Sequence, residues 1–447
     1  MENHNPFVMK YAIKTFGCQM NYSDSERVVR VMENCGFEKS EEFKTADIII
    51  VNTCSVRQTA ENKANGFIKN HKQKYIAVTG CMVRKTGDRE TSKDLLLQNK
   101  AIDMVFRIED TARIPKLLER HFPLHDFSSF TESFGNGIIE NYFRIMPKTE
   151  NKSQVLVPII QGCDKFCAYC IVPYARGREV SRLLPEIFGE CEKLVEQGAI
   201  EITLLGQNVN SYTYEGKRCF AELLRKIDTL SDKGLSRIRF TSAHPQDFTE
   251  ELIETLATLK CICPYIHLPV QHSSDQILRA MNRNYSVDQY EEIIRKIRKV
   301  IPNCMISTDI IVGFPGESED DFQKLCDFAD RVKFDFSYTA IFSPRRGTPA
   351  AKRKDQFIDS DEKKRRFHLF DKLINSHAHL GRKAFIGKTL EVLVEKSEKR
   401  EDGLYENIGR SREFLEVHFS SGRSLIGKEV MVKITKAYHY TLIGILE

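Results

Sequence analysis

The sequence predicts an α/β protein of three parts: a doubly wound parallel sheet, a partial (βα)6 barrel and a small all-β barrel. Two observations support this prediction. Short apolar runs alternate with amphipathic stretches over residues 9–125 and again over 149–380, which is the pattern of parallel βα units. From Lys383 onward, short alternating runs are separated by Gly-containing turns, which indicates an all-β part at 383–446.

The amino-terminal part contains four predicted strands with helix-like stretches between them. In the first such stretch, 23–34, Ser23 precedes Glu26 by three residues, which is the pattern of a helix-capping box. Regular alternation of strands and helices predicts parallel pairing in an open, doubly wound sheet. Residues 126–148 have no clear period and are interpreted as a linker. The predicted strands are 11–16, 47–52, 75–79 and 102–106.

The middle part alternates in the same way through six predicted strands. Helical stretches such as 286–300 and 319–332 follow the strands. This pattern predicts a partial βα barrel, whose active site should lie at the carboxyl ends of the strands. The predicted strands are 155–160, 200–205, 237–241, 265–270, 305–312 and 336–342, followed in the all-β part by 389–396, 415–419, 429–435 and 441–446.

The composition is that of a globular protein. Of 447 residues, 41% are hydrophobic and 29% are charged, which argues against disorder. No run of about 18 apolar residues occurs, and the start MENHNPFVMKYAIKTFG lacks a secretory pattern, so we expect a cytoplasmic location. Thirteen cysteines then favour reduced thiols or metal ligation over a disulfide framework. The net charge of +5 permits nucleic-acid binding without demonstrating it.

The sharpest motif is GCDKFCAYC, which holds Cys163, Cys167 and Cys170 just after the first barrel strand. We name these three the barrel cysteines. Their close spacing lets three thiolates converge on one inorganic cluster, and three ligands leave one iron open, whereas electron-transfer clusters usually have four cysteines. A zinc knuckle is the competing interpretation, but no nearby Cys or His supplies a fourth ligand at that spacing. The motif therefore favours an iron–sulfur cluster.

A second set of three cysteines is dispersed along the chain. Cys18, Cys54 and Cys81, named here the amino-terminal cysteines, lie within FGCQMN, NTCSVR and TGCMVR, one or two residues past predicted strand ends. The carboxyl ends of parallel strands share one edge of a sheet, so we expect these thiols to meet and to hold a second cluster with an open iron. Buried structural cysteines are the alternative, and the other seven cysteines are interpreted as structural.

These motifs resemble a known family. GCDKFCAYC is similar to the cluster loop of the radical S-adenosylmethionine (SAM) enzymes, and IIQGCDKFCAYCIVPYARGREVSR resembles the methylthiotransferases, as do NTCSVR, LLGQNVNSY, RIRFTSAHP, HLPVQHSSD, DIIVGFPGE and FSPRRGTPAA. NTCSVR followed by LLGQNVNSY is most similar to the type that acts on isopentenylated adenosine in tRNA. The carboxy-terminal part resembles the TRAM domain, an RNA-binding β-barrel. Two departures are His272, where the family usually has a small residue, and IGRSREFLEVHF in the TRAM-like part.

The resemblance implies methylthiolation of carbon 2 of an adenosine next to the anticodon of tRNA. It implies two [4Fe-4S] clusters and SAM as cofactors. The barrel cysteines would hold the cluster that binds SAM and yields a 5′-deoxyadenosyl radical. The amino-terminal cysteines would hold the cluster that presents the sulfur, which a second SAM methylates. The expected partners are tRNA and a reductant protein such as a flavodoxin or ferredoxin, and we expect a monomer.

SAM must be held at the mouth of the barrel. The candidates are Gly206, Gln207 and Asn208 after the second barrel strand and Gly313 after the fifth. Glycine at a strand end permits a close approach of the backbone to a ligand, although a tight βα turn explains the glycines equally well.

Basic residues offer contacts to anions of a cofactor or of RNA. Arg176 and Arg178 in VPYARGREVSR have planar guanidinium groups suited to a carboxylate or a phosphate. Three basic runs after the sixth barrel strand are candidates for phosphate contact, although such runs usually form solvated helix faces. The runs are 345–346, 352–354 and 363–366.

Two other functions remain compatible with the same residues. In the first, the same chemistry acts on threonylcarbamoyl-adenosine of tRNA or on an aspartate of a ribosomal protein. In the second, the chain is a non-catalytic iron–sulfur module that binds RNA and senses redox state, which predicts tight RNA binding without SAM turnover. Three-ligand clusters in a barrel mouth argue against the second.

Overall fold

Runs of Ile, Val and Ala form the amino-terminal sheet, in which the third strand is buried at every residue. The computed structural model describes residues 9–56, 58–83, 96, 98–123 and 139–447. The elements of this part are β1 (Lys10–Thr15), α1 (Gln19–Asn34), β2 (Glu38–Lys39), β3 (Ile48–Thr53), α2 (Gln58–Asn70), β4 (Tyr75–Gly80), β5 (Met104–Val105), a 3-10 helix (Ile108–Arg113), α3 (Ile114–Glu119) and α4 (Ile139–Arg144).

The amino-terminal sheet is parallel throughout, in the order β2-β1-β3-β4-β5. Strand β2 lies on one side of β1 and β3 lies on the other, so the strand order reverses between β1 and β3. Ligands of open α/β sheets bind at such a reversal, outside the carboxyl ends of the strands. The predicted doubly wound sheet is therefore confirmed, and Cys18 and Cys54 follow the two strands at the reversal.

Helix α1 begins one turn earlier than the sequence pattern predicts. Cys18, rather than Ser23, is its N-cap residue, and the Cys18 N–H donates to Asn21 Oδ1 at 3.2 Å. The predicted capping box of Ser23 and Glu26 is wrong because both residues lie inside the helix. Cysteine is not among the usual N-cap residues, so the true start carries no standard signal.

Six parallel strands form the barrel of the middle part, with helices and two short antiparallel strand pairs between them. Its elements are β6 (Gln154–Pro158), β7 (Ile160–Gln161), α5 (Val172–Arg176), β8 (Val180–Ser181), α6 (Leu184–Glu196), β9 (Glu201–Leu205), β10 (Thr213–Tyr214), β11 (Lys217–Arg218), α7 (Phe220–Asp228), β12 (Arg237–Phe240), α8 (Glu250–Thr258), β13 (Tyr265–His267), α9 (Asp275–Ala280), α10 (Val287–Val300), β14 (Met305–Val312), α11 (Glu319–Val332), β15 (Phe336–Ile341) and α12 (Ser360–Lys383). Short 3-10 helices lie at Val209–Ser211, Thr229–Lys233, Pro245–Asp247, Ala350–Lys352 and Lys354–Gln356.

The six strands pair in the order expected of a partial barrel. One parallel group has the order β6-β9-β12 and the other β13-β14-β15. A parallel bridge between Ile238 and Ile262 joins the two groups. Among the described residues no ladder joins β6 to β15, so the barrel stays open there. One apolar core fills the space between these strands and their helices, which confirms the predicted βα architecture.

The carboxy-terminal part is a closed barrel, as predicted, but it has five strands where the sequence suggested four. The missed strand has Asn407, Gly409 and Ser411 at its buried positions. Small and polar residues at buried positions give no apolar alternation, which explains the omission. The strands are β16 (Thr389–Lys399), β17 (Tyr405–Ser411), β18 (Glu416–Ser421), β19 (Glu429–Ala437) and β20 (Thr441–Leu446), in the barrel order β16-β17-β18-β20-β19.

The closed barrel packs against the amino ends of the partial-barrel strands. Tyr265 and Met305, which begin β13 and β14, belong to the apolar core of the closed barrel. Arg237, which begins β12, is fully buried and donates from Nε to Glu429 Oε1 at 2.6 Å. The closed barrel therefore covers the face of the partial barrel opposite the carboxyl ends of its strands.

Helix α4 lies inside the segment interpreted as a linker, 126–148, of which 126–138 are outside the described residues.

None of the helices in the described part of the chain combines the length and the apolar character needed to span a membrane.

Candidate metal centres

The barrel cysteines lie in the loop after β6 and β7, at the carboxyl end of the first barrel strand. Gly162 leads into this loop with φ +82°, and a Cβ there would stand 2.1 Å from the Arg178 carbonyl oxygen. The next residue, Cys163, donates its N–H to the Gly177 carbonyl oxygen at 3.2 Å. Only glycine allows the chain to enter the loop along this path.

Two residues after α9 hold the same loop, and the sequence analysis missed both. Asn282 Nδ2 donates to the carbonyl oxygens of Lys165 at 3.1 Å and Phe166 at 3.0 Å. The buried Arg283 donates from Nη1 to Cys167 Sγ at 3.7 Å. The segment MNRNYS has no motif that would single out this arginine, because its contact depends on folding together two distant segments.

Two thiols of the barrel set, those of Cys163 and Cys170, are largely desolvated. Burial raises the pKa of Cys163 to about 11, and it raises the pKa of Cys170 further, with the charge of Cys167 adding to the effect. Without a metal the thiols of Cys163 and Cys170 stay protonated at neutral pH, and metal binding releases their protons.

The amino-terminal cysteines lie together at one edge of the first sheet. Cys18, Cys54 and Cys81 follow the adjacent strands β1, β3 and β4. A Cβ on Gly17 would lie 3.0 Å from Cys54 Cβ, so the segments of Cys18 and Cys54 touch. Although residue Cys18 is exposed, the protein around its thiol desolvates it and raises its pKa, and a charge on Cys81 raises that pKa further.

Buried polar contacts fix the strand ends that carry these cysteines. Gly80 has φ +93°, and a Cβ there would stand 2.3 Å from the Thr53 carbonyl oxygen. Asn52 Nδ2 donates to the Asn21 carbonyl oxygen at 2.7 Å, and Asn21 Nδ2 donates to the Thr53 carbonyl oxygen at 3.1 Å. The start of α1 and the end of β3 are thereby joined before any ligand binds.

An arginine of the partial barrel reaches the amino-terminal set. Arg176, at the end of α5 and 6% exposed, donates from Nε to Cys81 Sγ at 3.3 Å and from Nη2 to Asp24 Oδ2 at 2.7 Å. Burial favours a lower pKa for Arg176, but Asp24 and Cys81 outweigh it and raise that pKa. The expected partners of Arg176 were a cofactor carboxylate or RNA; its partners in the fold are a carboxylate and a thiol of the same chain.

Two arginines from the basic runs that were candidates for phosphate contact are used inside the chain. Arg345 Nη2 donates to the Val56 carbonyl oxygen at 2.9 Å and Nη1 to Gln58 Oε1 at 2.7 Å, just after the second of the amino-terminal cysteines. Arg366 Nη1 donates to Glu317 Oε1 at 2.7 Å, and both side chains are buried. Carboxylate and carbonyl groups of the fold occupy the guanidinium groups of these two residues, so neither forms part of the solvated helix face and neither is left free for a phosphate.

Among the described residues, no three His, Cys, Asp or Glu side chains stand close enough to hold a single metal ion. A four-iron cluster binds each thiolate at a different iron, so its ligand sulfurs lie farther apart than the ligands of one ion. Each set supplies three thiols together with an arginine that donates to one of them. Hydrogen bonds to ligand sulfurs are a regular feature of iron–sulfur proteins, so the chemistry of both donor sets fits such clusters.

Of the residues expected to bind SAM, Gln207 contacts the barrel loop and Asn208 contacts the segment after β12. Gln207 Oε1 accepts a hydrogen bond from the Gly162 N–H at 2.6 Å, so it holds the entry to the cysteine loop. Asn208 is buried and donates from Nδ2 to Asp247 Oδ2 at 2.8 Å, and its Oδ1 has no protein partner among the described residues. That free acceptor suits a donor group of a bound ligand.

The two candidate glycines serve the packing of the fold. A Cβ on Gly206 would stand 2.2 Å from Ile160 Cγ2. Gly313 has φ +71°, and its N–H donates to Glu317 Oε2 at 2.8 Å. Glu317 also faces His272, whose Nε2 lies 3.4 Å from Glu317 Oε2 with both side chains fully buried. These contacts match the tight-turn interpretation of the glycines.

Family models and solved structures agree with this architecture. Residues 157–329 match the model of the radical SAM superfamily, and residues 10–106 match the uncharacterized protein family UPF0004. The radical SAM methyltransferase TsrM from Kitasatospora setae, solved with cobalamin and a [4Fe-4S] cluster, superposes with a TM-score of 0.55 at 15% identity over 77% of each chain. The cobalamin-dependent radical SAM enzyme OxsB superposes with a TM-score of 0.53 at 12% identity, over 83% of this chain and 55% of OxsB. These likenesses confirm the fold class.

Curated relatives align along almost the whole chain. The tRNA-2-methylthio-N(6)-dimethylallyladenosine synthase of Clostridium botulinum (strain Okra / Type B1) is 41% identical, over 97% of this chain and 96% of its own length. The enzyme of that name from Carboxydothermus hydrogenoformans is 42% identical, over 98% of this chain and 99% of its own length. The resemblance seen in the motifs is thus confirmed, and the chain belongs to the tRNA-2-methylthio-N(6)-dimethylallyladenosine synthase family of radical SAM proteins.

Proposed function

We propose that the chain is a radical SAM methylthiotransferase that modifies carbon 2 of isopentenyl-modified adenosine next to the anticodon of tRNA. The observation that carries this proposal is 41–42% identity to enzymes of that name over nearly their full length. The two gathered cysteine sets supply the donor chemistry that the reaction needs. We place the activity in the cytoplasm, where its tRNA substrate is found, and we propose that the enzyme acts as a monomer.

The reaction explains why two cysteine sets are present. Carbon 2 of adenine is neither acidic nor nucleophilic enough for polar thiolation, so its C–H bond must be opened by a radical. When bound, the two [4Fe-4S] clusters and SAM would supply the radical, the sulfur and the methyl group, and a reductant protein such as a flavodoxin or ferredoxin would supply the electrons.

The chain itself positions these groups. The barrel cysteines would hold one cluster at the mouth of the partial barrel. Gln207, which contacts their loop, and the neighbouring Asn208 would contact SAM. The amino-terminal cysteines hold the other cluster at the sheet edge. Arg283 donates to a sulfur of the barrel set, and Arg176 donates to a sulfur of the amino-terminal set. Each hydrogen bond stabilises the thiolate form of the sulfur that accepts it.

The reaction is tested by mass spectrometry of tRNA nucleosides from cells that lack the gene and carry a plasmid copy. We expect the wild-type copy to restore 2-methylthio-isopentenyladenosine and alanine variants of either cysteine set to accumulate isopentenyladenosine. Cys326→Ala is the matched control, since Cys326 is a free, partly buried cysteine on α11 far from both sets in sequence, and it should restore the methylthio group.

Two outcomes would contradict the proposal. Methylthio loss confined to threonylcarbamoyl-adenosine or to a ribosomal-protein aspartate would assign the chemistry to another substrate. Tight binding of tRNA with no SAM consumption by the reduced, reconstituted protein would identify a non-catalytic RNA-binding module.

The cofactor assignment has its own measurement, the iron content of anaerobically reconstituted protein. We expect about eight irons in the wild type and about four when either cysteine set is replaced by alanine. Equal iron content in the wild type and in the variant without the amino-terminal cysteines would show that those cysteines are structural.

A further inference from the structure

We propose that Arg176 is a positioning residue that sets the reduction potential of the iron–sulfur cluster on the amino-terminal cysteines. This inference rests on the proposed function, because it presupposes that those cysteines hold a cluster. It adds a residue from the partial barrel to a site that otherwise belongs to the first sheet.

The contact between the two parts is direct. Arg176 lies six residues after Cys170, at the end of α5, so its backbone belongs to the segment that carries the barrel cysteines. Its Nε donates to Cys81 Sγ at 3.3 Å, across the boundary with the first sheet. Its Nη1 donates to Gln161 Oε1 at 3.1 Å, two residues before Cys163. One guanidinium thus touches both cysteine-bearing segments.

The guanidinium is held in a fixed orientation by buried partners. Asp24 Oδ2 accepts from Arg176 Nη2 at 2.7 Å, and the side chain of Asp24 is fully buried. Asp24 Oδ1 in turn accepts from the Tyr142 hydroxyl at 2.6 Å. Each nitrogen of the Arg176 fork therefore has its own acceptor, and the acceptor of Nε is sulfur. A fork held this way is preorganised, so little entropy is lost when the sulfur binds iron.

The electrostatic effect has a definite sign. A cluster becomes more negative when it takes up an electron, and a buried cation with a hydrogen bond to a ligand sulfur stabilises that reduced state. Asp24 offsets part of the charge of Arg176, but the hydrogen bond from Nε ends on the Cys81 sulfur itself, so a net stabilisation remains. Removal of Arg176 should therefore lower the reduction potential of the cluster.

The test is an EPR-monitored redox titration of the full-length protein in which the barrel cysteines are alanine, so that only the amino-terminal cluster gives a signal. Adding Arg176→Gln should leave about four irons per chain and lower the midpoint potential. We expect at least a tenfold change in the ratio of reduced to oxidised cluster, which is about 59 mV for one electron. Arg176→Lys keeps the charge but loses the planar guanidinium group. Its midpoint potential should lie between those of the parent protein and of Arg176→Gln.

Arg27→Gln is the matched control. Arg27 is also a fully buried arginine at this boundary, and it pairs with Glu190 at 2.8 Å. A purely structural role for Arg176 predicts equal potentials in Arg176→Gln and Arg27→Gln, and that result would overturn the inference.

The remaining outcomes separate this inference from the proposed function. If the parent protein without barrel cysteines holds no iron, the proposed function fails at its second cluster, and this inference fails with it. If the parent holds iron and the midpoint of Arg176→Gln is unchanged, only the role of Arg176 is overturned. If Arg176→Gln does not retain iron, the comparison of Arg176→Lys with the parent decides: a lower potential supports the inference and an unchanged one rejects it.

Discussion

Gly80 governs where Cys81 is placed, because the two backbones of β3 and β4 meet at this residue. Its φ is +93°, and a Cβ added there would stand 2.3 Å from the Thr53 carbonyl oxygen, so no side chain fits. We expect Gly80→Ala to shift the Cys81 segment and to lower the free energy of unfolding by more than about 1 kcal/mol, the usual cost of forcing a left-handed residue. Iron analysis of the reconstituted variant should give about four irons per chain instead of about eight.

Gly66 supplies the control for this prediction. It lies inside α2, its φ is that of an ordinary residue, and among the described residues no neighbour outside its own helix turn stands within 4 Å of an added Cβ. Gly66→Ala should keep both clusters and stabilise the helix by about 1 kcal/mol. Full iron content in Gly80→Ala would show that the strand end tolerates a side chain and would contradict the steric argument.

The candidate site divides at the residue level into a part that the sequence reveals and a part that it hides. The barrel cysteines share one short motif, and the amino-terminal cysteines each follow an apolar run, so local patterns point to both sets. Arg176 and Arg283 act through contacts with residues far away in sequence. The sequence offered Arg176 only as a candidate for an anion of a cofactor or of RNA, and it did not single out Arg283. Their role becomes visible only once packing brings the segments together.

Helix α1 illustrates the same limit for an element. The letters Ser-x-x-Glu at Ser23 and Glu26 look like a helix start, yet both residues lie inside α1, and Ser23 Oγ donates to the Leu156 carbonyl oxygen of the partial barrel at 3.4 Å. Glu26 is largely desolvated and its Oε2 has no hydrogen-bond partner among the described residues. Burial raises the pKa of Glu26 to about 8, with the charge of Glu190 adding to the rise and that of Arg27 opposing it.

The raised pKa of Glu26 makes the stability of the fold depend on pH. In the folded state the Glu26 carboxyl group keeps its proton up to about pH 8, whereas in the unfolded state it loses that proton near pH 4.5. The free energy of unfolding therefore falls as the pH rises between these two values. One pKa unit is about 1.4 kcal/mol, and partial solvent access reduces the effect. We expect the free energy of unfolding of the cluster-free Glu26→Gln variant to exceed that of the wild type by about 2 kcal/mol at about pH 8.5. Near pH 4.5 the two values should be equal.

Urea unfolding midpoints at the two pH values measure this difference. Glu41→Gln, which neutralises an exposed carboxylate of the same part, is the control and should change neither midpoint. A constant gap between Glu26→Gln and wild type at both pH values would mean that Glu26 titrates normally in the fold.

Strand β17 was missed because its buried face is built from a polar network. Asn407 Nδ2 donates to Ser421 Oγ at 2.8 Å, and Asn407 Oδ1 accepts from Ser397 Oγ at 2.8 Å. The other strands of the closed barrel bury aliphatic residues and were recognised by their alternation. A sequence-based prediction reads hydrophobicity, so it finds strands that face an apolar core and overlooks one whose interior side is satisfied by hydrogen bonds.

The whole molecule has two distinct ends. The cysteine sets lie at the carboxyl ends of parallel strands, while the closed barrel packs where the partial-barrel strands begin. Strand β14, with 8 residues, separates the two faces by about 26 Å at about 3.3 Å per residue. Helix α12 places Lys363 beside Gly313 and Arg382 on the ring of Phe336, and these two residues lie about 30 Å apart along the helix at about 1.5 Å per residue. An RNA that touches the closed barrel and the catalytic mouth together must therefore lie along the outside of the partial barrel.

This arrangement makes Arg237 a test of how the ends cooperate. Its fully buried guanidinium donates to Glu429 Oε1 at 2.6 Å and to the Arg410 carbonyl oxygen at 2.8 Å, both in the closed barrel. Arg237→Gln leaves these acceptors without their cation, and because the glutamate is partly solvated we expect a loss of about 2–4 kcal/mol in unfolding free energy. Thermolysin should then release the closed barrel faster, iron should stay at about eight per chain, and tRNA methylthiolation should fall. Arg400→Gln, which breaks an exposed pair with Asp402 inside the closed barrel, should leave all three readouts unchanged. Unchanged tRNA methylthiolation in an Arg237→Gln protein whose closed barrel is released early would show that catalysis does not need the two ends held together.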